Sequence, residues 1–308
     1  MMDYIIEAKN LSKSYGNLKA VNDISFKVKR GNLFAFLGLN GAGKSTTINI
    51  LCSIIKKDLG DVFIDNLNID SDNRLVKEKI GIVFQNSVLD EQLTVYQNLK
   101  SRASLYNLKK NEIIERINNL IKILELDDIK DRQYGNLSGG QKRKVDIARA
   151  LIHNPKILFL DEPTTGLDPN TRNTVWNILH NLMDENGLTI FLTTHYMEEV
   201  LRANHVVILD GGVIAAEGSP DYLKDLYASD LLRIISKKNN EIESLLNKNK
   251  ITFNFSKESY QINIKNSLEA FEIINLNPNL LSNFEVLKGN MDQVFLNVTG
   301  KKLVKTHD

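Results

Sequence analysis

Cysteine and tryptophan each occur once in the 308 residues, proline only five times, and no apolar run approaches the roughly 18 residues that cross a membrane. With one thiol, Cys52, a disulfide scaffold within the chain is excluded and a cytosolic setting fits. Cys52 stands among Ile50, Leu51 and Ile54, the company of a buried side chain rather than a reactive one. The opening MMDYIIEAKNL lacks the basic start and apolar core of a secretory signal, so any work at a membrane is expected to pass through a partner. Excess charge is missing too: the net charge of +1 gives no reason to expect nucleic acid. What is present, 42% hydrophobic and 25% charged residues, is the composition of an ordinary soluble globular protein with room for about two domains.

The chain is organised around FAFLGLNGAGKSTTINIL, Phe34 to Leu51. An apolar strand ends at Leu37, a glycine-rich turn follows, and a helix starts at about Lys44, which is the context a phosphate-binding loop needs. Gly38, Gly41 and Gly43 let the backbone curl around a phosphate chain, so the amides from Gly38 through Leu39, Asn40, Ala42 and Thr46 can cradle it at the positive end of the helix. Lys44 supplies charge for the β- and γ-phosphates, and the Ser45 hydroxyl is a ligand for Mg²⁺.

Around this loop the pattern is of the α/β kind. Residues 3 to 30 read as short strands forming an antiparallel flank, with Ile24, Phe26 and Val28 on one face. KIGIVFQN reads as a strand ending on Gln85, and a helical block interrupts the strands from about 88 to 150, with its stripe on Ile113, Ile114, Ile117, Leu120, Ile121 and Leu124. Ser138 caps the helix that Pro155 stops, and Asp168 caps the next, which Gly187 closes. KILFLDEP and LTIFLTTH are continuous apolar strands of the kind covered on both faces, and HVVILDGGVIAAEG reads as a hairpin. The expected division is a nucleotide-binding domain over 1–220 and a small α+β domain over 221–308, whose order β, α, β, β, α, β resembles the split βαβ arrangement.

Several strands deliver polar groups to one sheet edge. Asp161 follows four apolar residues, a costly place for a carboxylate unless a cation compensates, and Mg²⁺ held with Ser45 would do so. Glu162 is placed to accept a proton from water attacking the γ-phosphate. His195 could donate to a γ-phosphate oxygen or hold Glu162 and the water. Gln85 is an amide able to bridge water and metal. The basic run Lys142, Arg143, Lys144 reads equally well as a wetted helix face.

LSGGQ at 137–141, with GLNGAGKST before it and ILFLDEPTTGLDP after it, resembles the ATP-binding subunit of ABC transporters over about Tyr4 to Gly218. The resemblance implies a P-loop NTPase fold of ABC type, ATP and Mg²⁺ as cofactors, and a head-to-tail dimer of this chain with itself or a homologous subunit. It further implies that Ser138, Gly139, Gly140 and Gln141 meet the partner's γ-phosphate, that Asp168 couples the two sites, and that Tyr15 stacks on adenine. By the same resemblance Gln85 senses nucleotide beside the metal, and His195 is the switch histidine with Glu162 and Lys44 in catalysis. The phrases IGIVFQNSVLDEQLTVYQNLKSRASLYNL and MDQVFLNVTG resemble the drug-resistance (daunorubicin-resistance-like) branch that works with separate ABC-2 type permeases, implying export from the cytoplasmic face of the membrane. Leu39 stands where proline is usual, and Ala203-Asn204-His205 replaces the usual cysteine-aspartate-arginine. The segment Gln85 to Tyr106, with Leu89, Leu93, Val95 and Tyr96, is the expected docking groove for that permease. Two alternatives stay open: a soluble ABC-type ATPase of translation or DNA repair, and a non-hydrolytic, nucleotide-gated regulatory subunit.

Overall fold

The computed structural model describes residues 3–301, and the chain divides between Glu217 and Gly218 into two compact units. In the first, β1 (Tyr4–Tyr15) and β2 (Leu18–Lys29) form a long hairpin, followed by β3 (Leu33–Leu37), α1 (Lys44–Leu51), β4 (Leu59–Ile64), β5 (Leu67–Asn68), α2 (Asn73–Lys79) and β6 (Ile80–Val83). Then come α3 (Val95–Ala103), α4 (Lys110–Ile123), α5 (Gly139–Leu151), β7 (Ile157–Asp161), α6 (Pro169–Asn186), β8 (Thr189–Thr194), α7 (Met197–Val200), β9 (His205–Asp210) and β10 (Val213–Gly218). Two sheets result. One has the order β2-β1-β4-β5 with antiparallel pairing, and the other runs β10-β9-β3-β8-β7-β6 around a parallel centre.

All residues of β3 and β8 are buried, as the unbroken apolar runs require of strands covered on both faces. The short strands expected at residues 3–30 are two strands of 12 residues each, whose register is shifted repeatedly by bulges. Those irregularities broke the alternation that marks a long strand, so it read as fragments. The hairpin is cemented to the parallel sheet by aromatic packing: the Phe26 ring lies 5.0 Å from Phe36 and 5.7 Å from Phe34, and Phe36 lies 4.9 Å from Phe191.

An ionic junction adds to this. Asp65 accepts from Arg30 Nη2 at 2.8 Å and from Lys156 Nζ at 2.6 Å, tying the turn after β4 to the end of β2 and the entry of β7. Burial alone would raise the Asp65 carboxyl, but Lys156 and Arg30 outweigh it and hold the group below its ordinary range. Its stabilisation is therefore present above the unfolded aspartate value and lost as pH falls through the lower folded value. Asp65→Asn is expected to cost about 1–3 kcal/mol near neutral pH, with the gap to wild type narrowing as pH falls below the ordinary aspartate range, as thermal unfolding at neutral and acid pH would measure.

In the second unit, α8 (Pro220–Tyr227) precedes β11 (Asp230–Ile235), α9 (Asn240–Lys248), β12 (Asn254–Ser256), β13 (Ser259–Ile264), α10 (Ser267–Asn275), β14 (Phe284–Leu287) and α11 (Met291–Thr299). The sheet order β12-β13-β11-β14, antiparallel throughout, is that of the split βαβ arrangement. MDQVFLNVTG forms α11, capped by Asn290, closed by Gly300 in the left-handed region, and bonded from Asn297 Nδ2 to Tyr227 O at the end of α8.

Candidate functional site

The loop between β3 and α1 is glycine-rich from necessity. A Cβ on Gly43, whose φ is 102°, would stand 2.3 Å from the Ala20 carbonyl oxygen, and one on Gly38 2.6 Å from that of Leu209. Ala42 N donates to Leu39 O at 3.1 Å, with Leu39 half-buried and Asn40 and Gly41 exposed. No side chain caps the first turn of α1, which leaves its amides for an anion beside the half-buried Thr46. Lys44 is buried and donates to Gly38 O at 2.8 Å and Leu39 O at 3.1 Å. Desolvation lowers its ammonium from the ordinary lysine range, opposed by the charges of Glu162 and Asp161. Tyr15, half exposed, ends the strand paired to the one that carries Ala20 across Gly43.

Opposite the loop stand the ends of β7 and β8. The Ser45 hydroxyl donates to Asp161 Oδ1 at 3.2 Å, and Thr193 Oγ1 donates to the same oxygen. Glu162 has φ of 46°, a left-handed backbone for a non-glycine residue, held by its amide donating to Thr193 O at 3.1 Å. Its Oε1 lies 3.4 Å from His195 Nδ1 and 3.9 Å from Lys44 Nζ, and Thr165 Oγ1 donates to Oε2 at 3.3 Å. His195 is the largest cause holding this carboxyl below the ordinary glutamate range; burial opposes it, and the Lys44 charge adds to it. Glu162 is thus ionised at neutral pH, the state that a proton acceptor needs. Nδ1 of His195 is buried, and its 3.4 Å contact with Glu162 Oε1 falls short of a well-formed hydrogen bond.

Lys44, Ser45, Asp161, Glu162 and His195 therefore converge. Gly38 and Leu39 join them through their carbonyls on Lys44, whereas Gln85, Ser138 to Gln141 and Asp168 share no hydrogen bond or ion pair with them among the described residues. The strand expected to end on Gln85 ends at Val83, and Gln85 is exposed with no hydrogen bond to Ser45 or Asp161 among the described residues. Ser138 and Gln141 close a capping box on α5, in which Gln141 N donates to Ser138 Oγ and Ser138 N to Gln141 Oε1. Gly139 is exposed, and a Cβ on Gly140 would meet Thr171 Cγ2 at 2.2 Å, so close packing on α6 requires that glycine. Among the described residues no hydrogen bond or ion pair joins 138–141 to 38–46. Asp168 caps α6, accepting from Asn170 N and Thr171 N, and its carboxyl is lowered first by the Thr171 hydroxyl and then by these amides.

Two expectations are corrected. Within the expected docking groove Leu89 and Val95 are buried and only part of the segment faces outward, because α3 turns its apolar stripe inward. The basic run after LSGGQ is not a uniformly wetted face. Lys142 and Lys144 are half-buried and pair with Glu91 and Glu125, whereas Arg143 is buried. Its Nε donates to Pro163 O at 2.5 Å, Nη1 to Phe84 O at 2.6 Å and Nη2 to Asp161 O at 3.2 Å. A signal for this was present: Arg143, Ile147 and Ala150 share one helical face. Sequence reading also missed Glu199, fully buried and accepting from Thr164 Oγ1, since nothing in the pair Glu198-Glu199 tells which one points inward.

The family model "ABC transporter" matches residues 21–165. A Nod factor export ATP-binding protein I of Rhizobium etli is 32% identical over 304 residues, covering 97% of this chain and 95% of that protein. The chain belongs to the ABC transporter family. It is an ATP-binding, ATP-hydrolysing cassette of that family. A methionine import ATP-binding protein MetN of Clostridium acetobutylicum is likewise 32% identical, over 97% of this chain and 92% of its own length, so identity alone favours no branch. Among solved structures, the dimeric post-hydrolysis state of the cassette MJ0796 bound to ADP and Pi has a TM-score of 0.64 at 31% identity, covering 70% of this chain and 98% of that one.

The cassette fold implies Mg-ATP, and the residues fit it. Ser45 and Asp161 present hard oxygen donors 3.2 Å apart, the kind Mg²⁺ takes while phosphate and water complete its shell.

Proposed function

We propose that this cassette is the ATP-hydrolysing subunit of an exporter, working as a head-to-tail dimer, with itself or a homologous subunit, at the cytoplasmic face of the membrane beneath a separate ABC-2 type permease. The observation that carries the hydrolytic part is Glu162, ionised and poised between His195 Nδ1 and Lys44 Nζ at the edge where Ser45 and Asp161 also end. The exporter part is supported by the export relative from Rhizobium and by the phrase MDQVFLNVTG; the import relative at the same identity supplies the second reading.

In this reading Lys44 and the uncapped amides of α1 bind the β- and γ-phosphates, and Tyr15 faces adenine. Glu162 Oε1 accepts the proton of the attacking water, and His195 orients that water and the carboxylate. Bound Mg²⁺ would offset negative charge on the phosphates. Among the described residues the side-chain bonds of Ser138 to Gln141 stay within their own capping box; in this reading the same segment of a second chain completes the site, and Asp168 links the two sites across that junction. Gln85 reports nucleotide state to the permease through the segment that carries the exposed Val88 and Leu105. Among the described residues no helix is long and apolar enough to cross a membrane, so the translocation path would belong to the partner.

The test is co-purification of the Glu162→Gln chain from detergent-solubilised membranes. A stoichiometric polytopic permease is the expected companion, and transport assays of that permease with the wild-type chain distinguish export from import. Recovery of ribosomes or cytosolic proteins alone would overturn the transport reading.

A further inference from the structure

The general base lies in a turn that its own strand does not hold in place. Glu162 sits at a left-handed φ of 46° between Asp161 and Pro163, and it is the carbonyls of these two flanking residues that Arg143 grips. The third arm of the same guanidinium reaches Phe84 O, next to Gln85. A planar fork with five donors is the side chain able to serve three diverging carbonyls at once, and lysine, a point charge on a flexible stem, cannot reproduce it. Desolvation lowers the guanidinium's pKa, and the surrounding carboxylates of Asp146, Glu199 and Asp161 oppose that shift.

Arg143 also lies one turn into α5, whose first residues are Gly139 and Gly140 and whose cap is Ser138. The same helix bonds the Gln85 loop at one further point, where Asp146 accepts from Ser87 Oγ at 2.7 Å, and bonds the strand that leads into it, where Arg149 Nη2 donates to Ile82 O of β6. On the other side of the Glu162 turn, Thr164 Oγ1 donates to Glu199 of α7, the helix that begins two residues after His195. The turn carrying the base is thus clamped between the LSGGQ helix and the histidine helix.

We propose that Arg143 is a positioning residue that locks the Glu162 turn and the Gln85 loop to the LSGGQ helix, so that α5 passes its position to the base of its own chain's site. This rests on the reading above, in which Glu162 is the base and the start of α5 faces the other chain's nucleotide. The coupling runs through backbone carbonyls, so it depends on the fork of Arg143 and not on the identity of the residues gripped. It places Arg143 among the groups that set turnover without touching ATP.

The test is steady-state turnover of the full chain carrying Arg143→Lys. The expected kcat is lower by about 10²-fold, the cost of misplacing a base by about 1 Å, with KM for MgATP within about twofold and nucleotide stoichiometry unchanged. A merely structural role would lower the active fraction, and with it the stoichiometry. The double variant Arg143→Lys/Glu162→Gln is expected to keep the residual rate of Glu162→Gln alone, because Arg143 acts through Glu162. Should the lysine variant not fold, Arg143→Gln, which keeps a planar donor, is read in the same way. A kcat near wild type, or a double variant slowed by the product of the two single effects, would overturn the role of Arg143. Wild-type turnover by Glu162→Gln alone would instead overturn the base on which the role rests.

Discussion

Glu162→Gln is expected to lower turnover by about 10²–10⁴-fold while leaving MgATP binding in place. Glutamine keeps the shape, and the amide that donates to Thr193 O is untouched, so the turn at φ 46° should persist. What disappears is the proton acceptor 3.4 Å from His195 Nδ1. Nucleotide affinity should hold because Glu162 touches Lys44 only at 3.9 Å, and the ammonium's hydrogen bonds run to Gly38 O and Leu39 O. Phosphate release measured beside binding of a fluorescent ATP analogue separates the two effects. Turnover near wild type would remove Glu162 from the role of base.

Lys44→Ala should act in the opposite compartment of the mechanism, on binding itself. The ammonium is buried at the floor of the phosphate loop and is drawn there by Glu162 and Asp161 against the cost of desolvation. Removing it takes away the loop's charge for phosphate and leaves the Gly38 and Leu39 carbonyls without their donor. Loss of charge-assisted bonds worth about 3 kcal/mol corresponds to roughly 10²-fold weaker MgATP binding. Isothermal titration checks it, and an unchanged dissociation constant would contradict the phosphate-loop assignment.

The parts of the molecule that could be read from sequence are those where one physical requirement dominates. Buried parallel strands must be continuously apolar, so β3, β7 and β8 stood out, and the polar ends of β7 and β8 located Asp161, Glu162 and His195. Helix starts need an acceptor, which exposed Ser138 and Asp168 as caps. The small second unit was legible as an order of elements, although ITFNF contributes a strand only from Asn254, and α11 had no assigned form. What stayed hidden depends on contacts distant in sequence. The left-handed backbone of Glu162 is imposed by Thr193 and the Arg143 fork, 31 and 19 residues away along the chain, and no local pattern encodes it. Three consecutive basic residues likewise conceal which one turns inward, and the apolar residues Leu89 and Val95 look the same whether they meet a partner or the protein's own core.

The most direct test of the composite site is the mass of the Glu162→Gln chain in solution, measured by light scattering with and without MgATP. A monomer that becomes a dimer when MgATP is added, and remains monomeric when Ser138→Arg is introduced as well, is the predicted result. A chain that binds MgATP stoichiometrically yet stays monomeric alone and with any homologous subunit recovered beside it would contradict a site shared between two subunits.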